Sequence, residues 1–246
     1  MEIIESLSNN RIKELNKLKE KKYRDISNTF IVEGEHLVNE AYKMNQLVEV
    51  YTIPSFEIDV DVPIYYVKEN VLNKVSELAN TKVIGVCKKF KPLSYGNRII
   101  VLDNLQDPGN LGTIIRSAAA FNIDTVILTN NCVDLYNSKV VRATQGLLFS
   151  IDVMEYDLDI LLQELKENDY FVYGTDVVGG QPVDKVIDHD KLCFIIGNEG
   201  NGISEKSKKY IKDNLYIPMN RKCESLNASV AASIIMYELS KNDYEE

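Results

Sequence analysis

The segment from Leu226 to Tyr237 restricts the possible folds of this chain most strongly, because it carries no charged residue. Apolar and small side chains go nearly all the way round it, a pattern typical of a helix packed inside a core. Ser225 and Asn227 stand where the helix begins, and both residue types cap helices well. The segment therefore predicts a buried helix with polar groups at its N-terminal end. Such an end serves either as a plain cap or as part of a binding site.

Short apolar strands alternate with helical segments through the chain. In the second half, Arg98–Leu102 and Leu192–Ile196 are examples of such strands. This alternation predicts an α/β protein with a mostly parallel sheet covered on both faces. The lysine-, proline- and glycine-containing stretch KKFKPLSYGN, residues 88–97, indicates a linker. We therefore predict a small N-terminal α/β domain over residues 1–95 and a larger α/β domain over residues 96–246.

Charge is distributed unevenly along the sequence. The net charge of −9 argues against indiscriminate nucleic-acid binding. The first 100 residues, however, carry 15 Lys and Arg against 14 Asp and Glu. Asn9 to Lys22 predicts a basic amphipathic helix, which is either a solvated face or a contact with nucleic acid. A polyanion would be held mainly through the cluster Arg11, Lys13, Lys17, Lys19, Lys21, Lys22 and Arg24.

Composition excludes several other classes of protein. No apolar stretch is long enough to span a membrane, and the polar N-terminus lacks the apolar core of a secretion signal. The four cysteines are widely spaced and form no CxxC pair, which fits reduced thiols rather than disulfides or zinc. We therefore expect a cytoplasmic protein that needs no metal and no membrane.

Three polar loops follow predicted strands of the larger domain, after Leu102, Ile196 and Ile217. Ligands of parallel sheets bind beyond the carboxyl ends of the strands, so three such loops favour a site. The first loop, DNLQDPGN, contains Asn110, which we expect to cap the following helix. That helix has Arg116 as its one charge, which predicts either a buried ion pair or an anion clamp.

The second loop, GNEGNG, has three glycines and the carboxylate Glu199. Its glycine spacing matches neither the dinucleotide fingerprint nor the phosphate loop of nucleotide-binding proteins. A nucleotide-dependent oxidoreductase is therefore disfavoured. The third loop carries Glu224, Ser225 and Asn227.

Three sequence segments together resemble the ordered motifs of the SpoU (TrmH-like) RNA ribose 2′-O-methyltransferases of the SPOUT superfamily. They are NLQDPGNLGTIIRSAAAF, FIIGNEGNGIS and IPMNRKCESLNASVAASIIMYEL, and VVRATQGLLF (residues 140–149) is similar to a further family segment. The front half, with TFIVEGEHLVNEA, resembles the ribosomal-protein-like substrate domain of many members. Thr144 and Gln145 replace the more usual Ser-Ala, and Ser138 replaces a frequent proline.

The resemblance implies a trefoil-knotted methyltransferase domain that binds S-adenosylmethionine and forms a homodimer close to the active site. Gly197, Ile217, Met219 and Leu226 match the positions that line the cofactor pocket. The polar active-site positions of the family correspond to Asn110, Arg116, Glu199, Ser225 and Asn227.

The implied reaction methylates a ribose 2′-hydroxyl, most readily in ribosomal RNA. The resemblance gives Arg116 the role of base, but free arginine has a pKa above about 12, so a clamp on a phosphate is the physically easier role, and both stay open. A transfer RNA methyltransferase and a non-catalytic ribosome-assembly factor are the alternatives. The sequence does not distinguish housekeeping methylation from drug resistance.

Overall fold

A computed structural model describes residues 2–175, 179–187, 189–220 and 222–244. Contacts within the chain divide it into two compact units, Met1–Phe90 with Asp134–Ser150, and Lys91–Val133 with Ile151–Glu246. The predicted division at residue 95 follows these units except in Asp134–Ser150, which packs with the first unit. The two-domain boundary itself stays a prediction.

Helices and strands alternate along most of the chain. The helices are α1 Asn10–Lys17, α2 Lys21–Ser27, α3 Glu35–Lys43, α4 Glu69–Val75, α5 Pro108–Ala120, α6 Ser138–Ala143, α7 Leu158–Glu167, α8 Glu205–Lys208 and α9 Ala228–Ser240. The strands are β1 Ile3–Ile4, β2 Thr29–Glu33, β3 Leu47–Thr52, β4 Ile64–Val67, β5 Val83–Lys88, β6 Arg98–Leu102, β7 Thr125–Thr129, β8 Asp152–Tyr156, β9 Phe171–Thr175, β10 Gln181–Pro182, β11 Leu192–Ile196 and β12 Asp213–Tyr216.

The first unit is built on a mixed sheet with strand order β1-β4-β3-β5-β2. β5 runs antiparallel to both β2 and β3, whereas β4 is parallel to β1 and β3. Apolar residues of α1, α4 and the sheet form one core cluster, including Ile12, Leu15, Leu72 and Ile84. This arrangement confirms the predicted small α/β domain.

The segment Asp134–Ser150 joins the first unit through both polar and aromatic contacts. Arg24 forms a buried ion pair with Asp134. The ring of Phe30, which is fully buried, lies 4.6 Å from that of Tyr136 and 6.2 Å from that of Phe149. Linear sequence reasoning assigned these residues to the second domain, because spatial contacts across more than 100 residues leave no local pattern.

The predicted single helix from Asn9 to Lys22 is wrong, because α1 ends at Lys17 and α2 begins at Lys21. The Arg24 guanidinium explains the break. It donates to the carbonyl oxygens of Leu18 and Lys19 at 2.8 and 2.7 Å, so the end of α1 is capped by a side chain from α2. Arg24 is therefore a structural residue and does not belong to the surface that could hold a polyanion.

The second unit contains a parallel sheet with strand order β10-β12-β9-β11-β6-β7-β8. Every residue of β7 and β11 is buried, as expected of strands covered on both faces. The predicted parallel α/β fold is confirmed. The trefoil knot stays a prediction.

Helix α9 differs from the prediction of complete burial. Ala232, Ile235 and Met236 are buried, but Val230 is 46% exposed and Tyr237 is 52% exposed. An apolar face of α9 is therefore open in the single chain. Across the described ranges, no helix is long and apolar enough to cross a membrane.

Candidate active site

The loops that follow β6 and β11 are held together at the carboxyl edge of the parallel sheet. The two strands pair in parallel, with Ile196 opposite Leu102. Beyond them, the Asp103 backbone N–H donates to the Ile196 carbonyl at 2.8 Å, and the Asn198 side-chain amide donates to the Asn104 carbonyl at 2.8 Å. The first two predicted site loops therefore form one hydrogen-bonded structure.

Asp103 is a buried anchor that sequence reasoning missed. Its side chain is fully buried, and its carboxylate accepts hydrogen bonds from the Ser204 backbone N–H at 2.9 Å and the Ser207 hydroxyl at 2.8 Å. These bonds fix the exit of the GNEGNG loop. An acidic residue directly after a buried strand was the available signal for this role.

Gly197 closes the second loop on itself. A Cβ atom at this position would lie 2.2 Å from the Gly202 carbonyl carbon and 2.3 Å from the Ile203 nitrogen. Asn198 and Gly202 form a bridge across the loop, with N–O distances of 3.0 and 2.9 Å. The loop therefore needs glycine at this position for its own geometry, before any ligand is considered.

Glu199 and Asn110 are brought together, as their assignment to one site requires. The Asn110 amide donates to Glu199 Oε1 at 2.9 Å, and the Asp107 backbone N–H approaches the same oxygen at 3.4 Å. Partial burial raises the pKa of the Glu199 carboxyl. Hydrogen bonds from Asn110 and from backbone groups outweigh it, and the net pKa lies below the usual range. Glu199 is thus held as a carboxylate.

The predicted helix cap at Asn110 is wrong, because Asp107 caps α5. The Asp107 carboxylate accepts from the Asn110 backbone N–H at 2.7 Å, and Pro108 occupies the first turn. Proline suits this position because it lacks the N–H that the first turn leaves unpaired. With the cap supplied by Asp107, the Asn110 side chain is free to reach Glu199.

Helices α5 and α9 pack side by side and run in the same direction. The Ser117 and Ser233 hydroxyls lie 2.7 Å apart, and four residues further along both helices the rings of Phe121 and Tyr237 meet edge to face at 5.8 Å. Because the second contact is four residues further along in both helices, the two helices run parallel. Their N-terminal ends therefore lie at the same edge, where the loops after β6 and β12 leave the sheet.

Arg116 projects into solvent from α5. The expected alternative of a buried ion pair is wrong, because the side chain is exposed. Among the described residues Arg116 has no hydrogen-bond or ion-pair partner. It precedes Ser117, whose hydroxyl lies 2.7 Å from that of Ser233 on α9. A free guanidinium at this place is suited to bind an anion bidentately.

The segment after β12 carries the remaining predicted residues. Ile217, Met219 and Leu226 are half-buried, which leaves apolar surface open at the sheet edge. Ser225 is exposed, and its carbonyl accepts from the Cys223 thiol at 3.1 Å. Asn227 caps α9, since its Oδ1 accepts from the backbone of Ser229 at 2.9 Å. Among the residues that the structure describes, the Asn227 amide N–H groups have no hydrogen-bond partner and are available to a ligand.

The structure joins only part of the predicted set by contacts. Asn110 donates to Glu199, and Gly197 lies in the same loop as Glu199. Ser225 and Asn227 lie at the start of α9, and Arg116 lies farther along α5, which packs beside α9; no contact among the described residues joins these three to Asn110 or Glu199. Within the described residues, no group of three or more His, Cys, Asp and Glu side chains could hold a metal ion.

Two family models match the chain. Residues 97–237 match the SpoU rRNA Methylase family, and residues 9–85 match the MRM3-like substrate binding domain. The chain is 36% identical over 247 residues to the 23S rRNA (guanosine(2553)-2′-O)-methyltransferase RlmP of Bacillus subtilis strain 168. That alignment covers 97% of this chain and 99% of the relative.

Solved structures share the whole fold. The crystal structure of an RNA 2′-O ribose methyltransferase is 26% identical, with a TM-score of 0.83 and coverage of 99% of this chain and 100% of the other. An AdoMet-bound rRNA methyltransferase from Sinorhizobium meliloti is 24% identical, with a TM-score of 0.88 and coverage of 100% and 99%. The resemblance predicted from three motifs is therefore confirmed. The chain belongs to the SpoU rRNA methylase family.

Proposed function

We propose that this protein is an S-adenosylmethionine-dependent RNA methyltransferase that modifies a ribose 2′-hydroxyl in ribosomal RNA. The observation that carries the proposal is the similarity to a 23S rRNA 2′-O-methyltransferase, which extends through nearly the full length of both chains. The hydrogen bond between Asn110 and Glu199 at the carboxyl edge of the sheet supports it. A cytoplasmic location accords with a ribosomal substrate.

The open apolar surface at the sheet edge fits the cofactor. Ile217, Met219 and Leu226 offer partly exposed side chains where an adenine ring can pack, and Gly197 lies in the neighbouring loop. When bound, the cofactor supplies a methyl group on a positively charged sulfur. The work left to the protein is to orient the ribose and to accept or dissipate the proton that leaves its hydroxyl.

The exposed Arg116 guanidinium supports the phosphate-clamp role. With no partner among the described residues, its N–H donors are free to hold the phosphate next to the target ribose. Positioning of this kind supplies much of the rate in group transfer. Glu199, held as a carboxylate, fixes Asn110 and through it the first loop. Whether Arg116 also takes the proton stays open.

We propose a homodimer through the second unit. Val230 and Tyr237 are seven residues apart on α9 and share its exposed face with the half-buried Ile234. An apolar face of this kind is covered in a stable assembly. Light scattering of the full chain should give twice the monomer mass, and Tyr237→Glu should shift the mass to that of a monomer. A parent protein that scatters as a monomer would contradict the dimer.

The substrate domain is expected to contribute phosphate contacts. Lys17, Lys21 and Lys22 remain exposed or half-buried near the corner between α1 and α2, after Arg24 is excluded. Replacing the three lysines with glutamine should flatten the log–log dependence of RNA affinity on salt by up to about two units, at roughly 0.7 for each phosphate that is no longer bound. Charge changes on α7 are the control. An unaltered salt slope would exclude this surface.

Calorimetry and a transfer assay test the proposed function together. We expect S-adenosylmethionine but not NAD to bind, and ribosomal RNA rather than transfer RNA to accept the methyl group. Methylation of transfer RNA alone would identify the protein as a transfer RNA methyltransferase. RNA binding without cofactor binding would identify a non-catalytic assembly factor.

A further inference from the structure

An apolar patch on α2 lies within the basic surface and has no assigned role. Tyr23 and Ile26 are three residues apart and therefore share one side of the helix. Ile26 is 72% exposed and Tyr23 is half-buried. A large aliphatic side chain is seldom this exposed without a function. Its place beside an aromatic ring, on a helix with two lysines, indicates a binding site.

Two lysines from different helices stand at the ring of Tyr23. The Lys17 Nζ of α1 lies 5.6 Å from the ring centroid, and the Lys22 Nζ of α2 lies 5.7 Å from it. Among the described residues, the Tyr23 hydroxyl has no hydrogen-bond partner. The patch thus combines a flat ring, an aliphatic surface and two cations, which are the features that single-stranded nucleic acid uses.

Tyr65, in the same unit, is a tyrosine whose ring is already covered by other side chains of the protein. The Arg11 guanidinium lies 4.0 Å from the centroid of Tyr65, and the Tyr51 ring lies 5.2 Å from it. That ring is already stacked within the protein. Nearby acidic residues are also engaged, since Glu14 pairs with Lys17 at 2.7 Å and Asp25 pairs with Lys89 at 2.6 Å. With these two carboxylates engaged, the lysines around Tyr23 favour a negatively charged partner.

We propose that Tyr23 and Ile26 form a stacking site for one unpaired base of the RNA substrate, with Lys17 and Lys22 on the flanking phosphates. The proposal rests on the proposed function, because it concerns recognition of the same RNA. It predicts that the target ribose lies in or next to a single-stranded region. Stacking is tolerant of base identity, so this site selects unpaired RNA and not a sequence.

A single tryptophan makes the contact visible, because the chain contains none. In Tyr23→Trp, a single-stranded oligoadenylate of about ten nucleotides should quench the fluorescence, since one binding module covers roughly 4–16 nucleotides. A fully paired RNA duplex should quench it little. The matched control is Tyr42→Trp on α3, a partly exposed tyrosine outside the patch, whose fluorescence should not change.

Affinity measurements separate stacking from charge. Tyr23→Ala should weaken oligoadenylate binding roughly five- to a hundredfold with the salt slope unchanged, and Tyr23→Phe should keep the parent affinity. Lys22→Gln should instead reduce the slope by about 0.7.

Absence of quenching, or a Tyr23→Ala variant that binds oligoadenylate like the parent, overturns the stacking site. If such a variant loses binding to a ribosomal protein instead, the patch is a protein contact. Methyl transfer by the parent enzyme is measured separately, so failure of the stacking site leaves the proposed function standing.

Discussion

The loop after β11 and the segment after β12 leave the same edge of one parallel sheet, but they are held differently. The first is fixed by Asp103 and Asn198, and its carboxylate Glu199 binds Asn110. The second has hydrogen bonds only within itself until Asn227 begins α9, as far as the described residues show. Its side chains Cys223, Glu224 and Ser225 are exposed.

The difference indicates a division of labour. The pre-formed loop holds its groups in place before any ligand arrives, so no binding energy is spent on ordering it. The segment after β12 offers open apolar surface and free amide groups, which fit a cofactor and a second copy of the chain. We therefore expect the first loop to position the reacting groups and the segment after β12 to be ordered by its ligand.

The largest expected effect comes from Arg116, whose side chain is exposed on α5. Arg116→Ala should lower kcat by about a hundredfold or more, because removal of a positioning group costs on the order of that factor. Affinity for S-adenosylmethionine should stay within about tenfold, or 1.4 kcal/mol. The melting temperature should not change, since the side chain is exposed. Arg116→Lys should recover little, because an ammonium lacks the bidentate geometry of guanidinium.

The charge-matched control for Arg116 is Lys166→Ala on α7, which removes an exposed cation away from the site. It should methylate RNA at the parent rate. A fully active Arg116→Ala enzyme would remove this residue from the mechanism, whereas an unfolded variant would show that Arg116 acts in stability.

The second effect tests the rigidity of the loop after β11 by substitution of two of its glycines. In Gly197→Ala the new Cβ meets backbone at 2.2 Å, so the loop must open. We expect a loss of roughly 1–3 kcal/mol in stability, the usual cost of overpacking, with a similar loss in cofactor affinity. Gly200→Ala is the control, because its Cβ would meet only Asn198 Oδ1 at 3.5 Å. Thermal unfolding and calorimetry should separate the two variants. Equal behaviour would mean that the loop is not rigid.

The third effect concerns Asn227. Its Oδ1 caps α9, whereas its side-chain amide N–H groups take no part in the cap. Asn227→Ser preserves an N-cap, so stability should fall only slightly. Activity should fall by roughly tenfold or more, the value of one hydrogen bond to a charged or reacting group. Asn227→Ala should lose both stability and activity. If the serine enzyme has the parent kcat and KM, Asn227 is a cap and nothing more.

The smallest effect is the pH dependence of Glu199. Its pKa in the folded protein lies below the ordinary value of 4.5, so the ionised form stabilises the fold. This contribution is present above about pH 4.5 and disappears as pH falls through the lowered pKa. Glu199→Gln should lower the melting temperature by no more than a few degrees at pH 7, because solvent screens the interactions of an exposed carboxylate. The difference should shrink below pH 4.5.

Glu57→Gln, an exposed change in the first unit, should leave the melting temperature unaltered throughout this pH range. A difference between parent and Glu199→Gln that grows toward acid pH would contradict the assignment of Glu199 as a stabilising carboxylate.

Sequence reasoning reached the elements and the site because both leave local patterns. The strands Arg98–Leu102 and Leu192–Ile196 were predicted with their observed bounds, since buried apolar runs are bordered by polar turns. The motifs located Asn110 and Glu199, which the fold then joined.

What the sequence did not reveal depends on contacts distant in the chain. Arg24 has the same local signature as an exposed lysine, and only Asp134, 110 residues away, makes it structural. Asp107 and Asn110 are both good caps, and only the structure shows that Asp107 takes the cap while the Asn110 side chain donates to Glu199. For Arg116 the apolar neighbours left a buried ion pair and an anion clamp both open, and only the structure shows that the side chain is exposed.

The chemical identity of the product tests the central claim most directly. The purified full chain is incubated with ribosomal RNA and isotopically labelled S-adenosylmethionine, and the digested nucleosides are separated by mass spectrometry. We predict label on the ribose as a 2′-O-methylnucleoside, whose 3′ linkage resists alkaline cleavage because the hydroxyl needed for cleavage is blocked. Label on a base, or no label in RNA despite cofactor binding, would contradict the account.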